Sequence, residues 1–171
     1  LEEPSLFADY AGDAAMVLAP MLYSSNAEYN YVMDSDFVAN LEKELAAQGI
    51  HILDTHYSFG FRSVVTNLDV KTPEDLKGHV LRATSSALFT KTLECLGATP
   101  VVMGFTDCLA AIQQGVVEGF EGSVSTLAGA GNPYELVKKV AETNHLIATR
   151  WLFMGEDVYQ SIPEKYRTIL D

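Results

Sequence analysis

The residues of this chain with the most chemistry to offer are its arginines and histidines, and both are few. Four arginines, Arg62, Arg82, Arg150 and Arg167, stand in 171 residues that carry a net charge of −12. Arg82 is set apart by what precedes it. Asp75-Leu76-Lys77-Gly78-His79-Val80-Leu81 reads as a helical turn, a glycine stop and a strand whose apolar residues seek the interior. A guanidinium at the carboxyl end of such a strand is costly unless it meets water or an anion. An internal Asp or Glu would satisfy it, as would the surface. So would the carboxylate of a bound ligand, which the planar fork takes through two parallel hydrogen bonds.

The other chemically capable residues point nowhere specific. His51 and His56 in His51-Ile52-Leu53-Asp54-Thr55-His56 are metal-type ligands, but five apart on a strand they face opposite sides. His79 reads as a surface residue and His145 as a structural one at a strand start. Cys95 and Cys108 have neither CxxC spacing nor neighbours that mark a nucleophile or a zinc site. A disulfide in an oxidising compartment and two buried thiols both fit them. Nucleophile elbow, phosphate loop and Ser/His/Asp arrangement are all missing, which leaves an enzyme without a named catalyst. With 23 acidic against 11 basic residues, nucleic acid and anionic membrane surfaces are poor partners. No apolar run has the length of a membrane-spanning helix. The chain opens at Leu1 with no signal-peptide pattern, and reads as a segment of a longer precursor.

The elements that would position Arg82 follow from periodicity and punctuation. Residues 14–20 suggest a buried strand ended by Pro20. Residues 34–49 form the clearest helix, with Phe37, Val38, Leu41, Leu45 and Ala46 on one face and Gly49 closing it. Strands are expected over 50–57 and 61–66, with Gly60 as a bend between them. Thr72-Pro73-Glu74-Asp75 is a helix start, with a cap, a proline and acids in the first turn. Residues 80–122 then alternate strand, helix, strand, helix, strand. That alternation is the mark of an α/β fold, a parallel sheet with covering helices. A loop at 129–132, a helix over 133–140, a strand over 144–153 and a helical end broken at Ile162-Pro163 complete the chain. Ligands of parallel sheets sit at the carboxyl ends of the strands. Arg82, Phe105 and Phe120-Glu121-Gly122 all fall at those ends.

Several motifs now line up in order. They are Gly60-Phe61-Arg62 with Thr66-Asn67, Thr72-Pro73-Glu74-Asp75-Leu76-Lys77-Gly78, Leu81-Arg82 and Leu96-Gly97-Ala98-Thr99-Pro100-Val101. The block Leu109-Ala110-Ala111-Ile112-Gln113-Gln114-Gly115-Val116-Val117-Glu118-Gly119 follows, and then His145. From Asp34 to Asp171 the chain resembles the solute-binding subunit of tripartite ATP-independent periplasmic (TRAP) transporters. The resemblance implies a periplasmic-binding-protein-like, venus-flytrap fold of two lobes, of which this chain would hold a part. Residues 1–57 would be part of lobe one, 58–146 lobe two, and 147–171 a return strand and helices toward lobe one. It further implies a monomeric receptor, periplasmic or membrane-tethered, that captures an organic acid such as a dicarboxylate. The receptor would pass its ligand to the integral membrane subunits without itself entering the membrane.

By the same resemblance, Arg82 looks like the arginine that takes the ligand carboxylate, and Arg62 like a second arginine assisting with that charge. Ser85 and Phe105 match ligand contacts, and Trp151 is expected as another. Where many members read Gly-Gln-Glu-Asn-Pro, this chain reads Gly119-Phe120-Glu121-Gly122-Ser123. Gly122 would remove a polar contact and open space, while Phe120 would add an apolar face. A ligand less polar or bulkier than a sugar acid is expected. In some members this region helps to bind a cation that bridges to the ligand, but no second cation ligand accompanies Glu121, so no cofactor is expected. The alternatives are a ligand-sensing domain of the same fold and, behind it, an enzyme acting on a small carboxylic acid.

Overall fold

A computed structural model describes residues 1–125 and 133–170, so the loop expected at 129–132 lies outside the described residues. The chain divides into two compact units, Leu1–Ser58 with Thr149–Asp171, and Phe59–Ala148.

The first unit opens with two 3-10 helices, Pro4–Asp9 and Gly12–Leu18. The segment read as a strand over 14–20 is therefore helical as far as Leu18. Ala14, Val17 and Leu18 are buried while Met16 is exposed, which is the spacing of a helix face and not the alternation of a strand. Helix α1 (Asn26–Met33) is too short to signal itself, since it buries only Tyr29 and Met33. Ser25 caps it by accepting from the Glu28 amide. Helix α2 (Asp36–Ala47) buries Val38, Leu41 and Leu45 on the expected face. Strand β1 (Ile50–Asp54) pairs antiparallel with β7 (Leu152–Gly155). Helices α5 (Glu156–Ser161) and α6 (Glu164–Leu170) follow, separated at Pro163 as expected.

The second unit is an α/β sheet of five strands, ordered β4-β3-β5-β2-β6. Its strands are β2 (Ser58–Thr66), β3 (Val80–Ala83), β4 (Thr99–Val102), β5 (Gly119–Ser123) and β6 (Lys139–Thr149). β3 runs parallel to β4 and to β5, joined by α3 (Ala87–Cys95) and α4 (Phe105–Gln113), as the alternation over 80–122 requires. β2 lies antiparallel to β5. Gly60 sits inside β2 at φ +95° and does not separate two strands. The helix expected over 133–140 is only a 3-10 turn, Pro133–Glu135, before β6 begins.

Both sheet faces are covered, and adjacent residues reveal it. Val64 belongs to one core cluster with Leu76, Leu81, Ala83 and Leu93 of α3. Val65 belongs to the other, with Phe120, Val117 and Cys108 of α4. Successive side chains of a strand point to opposite faces, so the parity of each position decides which helix layer it meets.

Candidate ligand-binding site

Arg82 is the penultimate residue of β3 and is only 8% exposed. Leu81 and Ala83 point toward the α3 face, so the pleat turns Arg82 toward the α4 face. Its Nε donates to the Met103 carbonyl at 2.8 Å, just past the end of β4. Its guanidinium carbon lies 5.7 Å from the centroid of the Phe105 ring, the first residue of α4. Phe105 in turn meets Phe120 of β5 edge to face, with centroids 5.3 Å apart and planes at 88°. A backbone carbonyl and an aromatic pair thus orient the guanidinium at the carboxyl ends of three parallel strands.

A run of hydroxyls follows Arg82. Thr84 Oγ1 is buried and has no hydrogen-bond partner among the described residues. Ser85 is exposed. Ser86 caps α3, its Oγ accepting from the Leu88 amide at 3.3 Å. Hydroxyls that follow Arg82 in sequence, at the amino end of α3, make a setting that favours an anion.

Arg62 is not part of this group. It shares its parity with Val64, which turns it to the α3 face, where its guanidinium carbon stands 4.6 Å over the Phe89 ring. Its Nε and one terminal nitrogen donate to Glu121 Oε2 and Oε1 at 2.6 and 2.7 Å. Both residues are buried, Arg62 at 5% and Glu121 at 1% exposure. The Nε2 of His145, itself without exposed surface, lies 3.6 Å from Glu121 Oε2, while its Nδ1 shares a proton with Thr143 Oγ1 at 2.7 Å. Burial by itself pushes the Glu121 carboxyl up. The Arg62 charge and its hydrogen bonds, with the His145 ring close by, overcome this and hold it down at about 2. The internal-carboxylate reading weighed for Arg82 therefore describes the environment of Arg62.

The pleat also divides Phe120-Glu121-Gly122. Phe120 and Gly122 share the face of Arg82, and Glu121 shares that of Arg62. A Cβ at Gly122 would come within 3.3 Å of the Phe120 ring, so a side chain there would press on that buried ring. Phe120 has no exposed surface, so the aromatic that reaches solvent is the half-buried Phe105. Trp151 lies in the first unit with no exposed surface. It stacks on Phe7 at 5.8 Å and donates its Nε1 proton to Tyr29 Oη at 3.2 Å, which makes it a core residue.

Elsewhere, His51 bonds Glu156 at 2.9 Å and stacks on Tyr159, and His56 bonds Asp34 at 3.1 Å. Among the described residues no group of three or more His, Cys, Asp or Glu could hold a metal ion. Cys95 is exposed and Cys108 buried, and both are free thiols. Sequence reasoning did not find Met103, Phe89 or Thr84. A carbonyl acceptor has no side-chain signature, and Phe89 reads simply as a core position of α3.

The chain matches the model of the bacterial extracellular solute-binding proteins, family 7 (DctP), over residues 2–171. It belongs to that family. A TRAP periplasmic solute-binding protein from Desulfovibrio salexigens, solved in complex with diglycerolphosphate, superposes with a TM-score of 0.94 at 40% identity. The match covers 99% of this chain and 54% of that one. A second, from Fusobacterium nucleatum with bound sn-glycerol 3-phosphate, gives 0.95 at 36% identity, covering 99% and 55%. A solute-binding protein of Sulfitobacter is 27% identical over 167 residues, 98% of this chain and 50% of its own length. The chain thus spans about half the length of the DctP-family proteins it matches. These relatives are solute-binding proteins and not enzymes, and their structures carry the two-lobe fold of which this chain is a part. No helix among the described residues is long and apolar enough to cross a membrane.

Proposed function

We propose that this chain is the ligand-gripping part of an extracytoplasmic TRAP receptor that captures a small organic anion for the membrane subunits of its transporter. The observation that carries the reading is Arg82, a nearly buried guanidinium at the carboxyl ends of parallel strands, oriented by Met103 and Phe105. Thr84 and Ser85 are its neighbouring contacts, and Phe105 supplies the apolar wall. Arg62 and Glu121 act on the site only as a buried support, and Trp151 is left out of it. The acid group of a carboxylate would sit in the Arg82 fork, contributing a few kcal/mol of the roughly 8 kcal/mol that micromolar affinity requires. Apolar contact supplies the remainder.

A phosphate ester is the second reading for the head group. It is favoured by the two proteins of 36% and 40% identity, solved with glycerol phosphates. The hydroxyls that follow Arg82 suit a tetrahedral anion with three acceptor oxygens. Calorimetric titration with L-malate and with sn-glycerol 3-phosphate tests both. Binding of one probe, lost in Arg82→Ala, supports the reading and names the head group. An Arg82→Ala variant that binds as tightly as the parent chain overturns the site.

A further inference from the structure

We infer that the Tyr29 hydroxyl is a positioning group for ligand binding, a buried buckle that ties together the two passages of the chain between its units without touching the ligand. This rests on the receptor reading of the Arg82 site. The chain passes from one unit to the other at Ser58–Phe59 and again at Ala148–Thr149. Those passages are the first residues of β2 and the last of β6, which are neighbours in the sheet, so the two crossings form one two-stranded ribbon. Side chains close its first-unit end. Thr149 Oγ1 donates to the Tyr57 carbonyl at 2.8 Å, beside the Arg150 amide at 3.0 Å. Tyr29 Oη, reaching in from α1, bonds Thr149 Oγ1 at 2.8 Å, meets the Thr55 carbonyl at 2.6 Å and accepts from Trp151 Nε1 at 3.2 Å. One hydroxyl thus holds the segment that leads into β2 and the segment that leaves β6. Tyr29, Thr55, Thr149 and Trp151 are all buried, so water is not at hand to replace a bond that is lost. The Tyr23 ring, edge-on to Tyr29 with centroids 5.4 Å apart, braces the phenol. Inside the second unit the same ribbon is pinned again, where Ser63 Oγ accepts from the Asn144 amide at 3.2 Å. Two compact units joined by such a ribbon move by bending it. The more firmly its ends are fixed, the less ordering a ligand must impose when it binds.

The test compares the parent chain with Tyr29→Phe, Thr149→Val, Thr149→Ser and Arg82→Ala. It is read by amide hydrogen exchange and by titration with sn-glycerol 3-phosphate and L-malate. Tyr29→Phe and Thr149→Val are each expected to speed exchange of the Arg150 amide about tenfold, the weight of one buried hydrogen bond, while α2 and β5 exchange as before. Both should weaken any probe that the parent chain binds by about three- to tenfold, because the loosened ribbon has more freedom to lose. Thr149→Ser keeps the hydroxyl and should behave as the parent. Should Tyr29→Phe fail to fold, Thr149→Val decides. Exchange that rises equally in α2, or that does not rise at Arg150, would overturn the buckle. Faster exchange at Arg150 with unchanged dissociation constants, while Arg82→Ala abolishes binding, would overturn its role in binding and leave the receptor reading standing. A parent chain that binds neither probe would overturn the receptor reading, and the role in binding with it.

Discussion

Glu121→Gln removes the charge of a buried carboxylate while keeping its shape and one acceptor oxygen. Arg62, at 5% exposure, would then lose the carboxylate that its fork grips at 2.6 and 2.7 Å. Breaking a buried pair by deleting one partner costs about 3–5 kcal/mol, and the retained acceptor argues for about 3 kcal/mol. The depressed carboxyl is another expression of the same pairing. Held at about 2 instead of 4.5, it favours the ionised form by roughly 3 kcal/mol, at about 1.36 kcal/mol per pH unit. Because the native value is depressed, this stability is complete above pH 4.5 and is lost as pH falls toward 2.

The assay is urea unfolding followed by far-UV circular dichroism from pH 7 downward. Trp151, the only tryptophan, lies in the first unit, so its fluorescence reports on that unit and dichroism is needed for the second. At pH 7 the variant should unfold at a urea midpoint lower by about 1–2 M. The gap between variant and parent should close progressively below pH 4.5. Arg62→Met combined with Glu121→Leu should recover most of the loss, since an apolar pair of similar volume needs no charge compensation. A variant within about 1 kcal/mol of the parent at pH 7, or a gap that stays constant to pH 2, would refute the reasoning.

Three further outcomes are expected. Gly119→Ala should cost about 3 kcal/mol in the same assay, because its Cβ would strike the Val65 carbonyl and lie 2.9 Å from Thr66 Cα across the β2–β5 ladder. Tyr29→Phe should cost about 1–3 kcal/mol, seen as an earlier tryptophan transition. It removes the hydroxyl that accepts from Trp151, bonds Thr149 and donates to the Thr55 carbonyl at 2.6 Å. Ellman's reagent at pH 8 should modify one thiol rapidly in the native protein, the exposed Cys95. Cys108, buried and with its thiol pushed up to about 11 by that burial, should react only on unfolding.

What could be read along the chain was what neighbouring residues decide together. The alternation over 80–122, the capped turn at Thr72 and the glycine stops depend on local backbone preference and on the 3.6- and 2-residue periods. They located Arg82 and Phe105 at strand ends before any tertiary contact was considered. Where local signals conflict or are short, the reading failed. Residues 14–20 are apolar enough for a strand, yet as far as Leu18 they are wound as a 3-10 helix, with Ala14, Val17 and Leu18 on one buried face. The family likeness named Arg62, Glu121 and Gly122 but grouped them around a single ligand.

Only the tertiary structure decided how these residues are divided. Arg62 and Glu121 are 59 positions apart and meet because β2 lies antiparallel beside β5 in a register that sets Val64 opposite Glu121. That register and the two-residue period place Glu121 behind the sheet with Arg62, and Phe120 and Gly122 in front of it with Arg82. What a side chain at Gly122 would meet is likewise a neighbouring ring, Phe120, which the glycine itself does not announce. Sequence determines each residue's chemistry and its place along a strand. Which face that chemistry serves is a property of pairing between distant strands, whose energy resides in contacts that a linear reading does not contain.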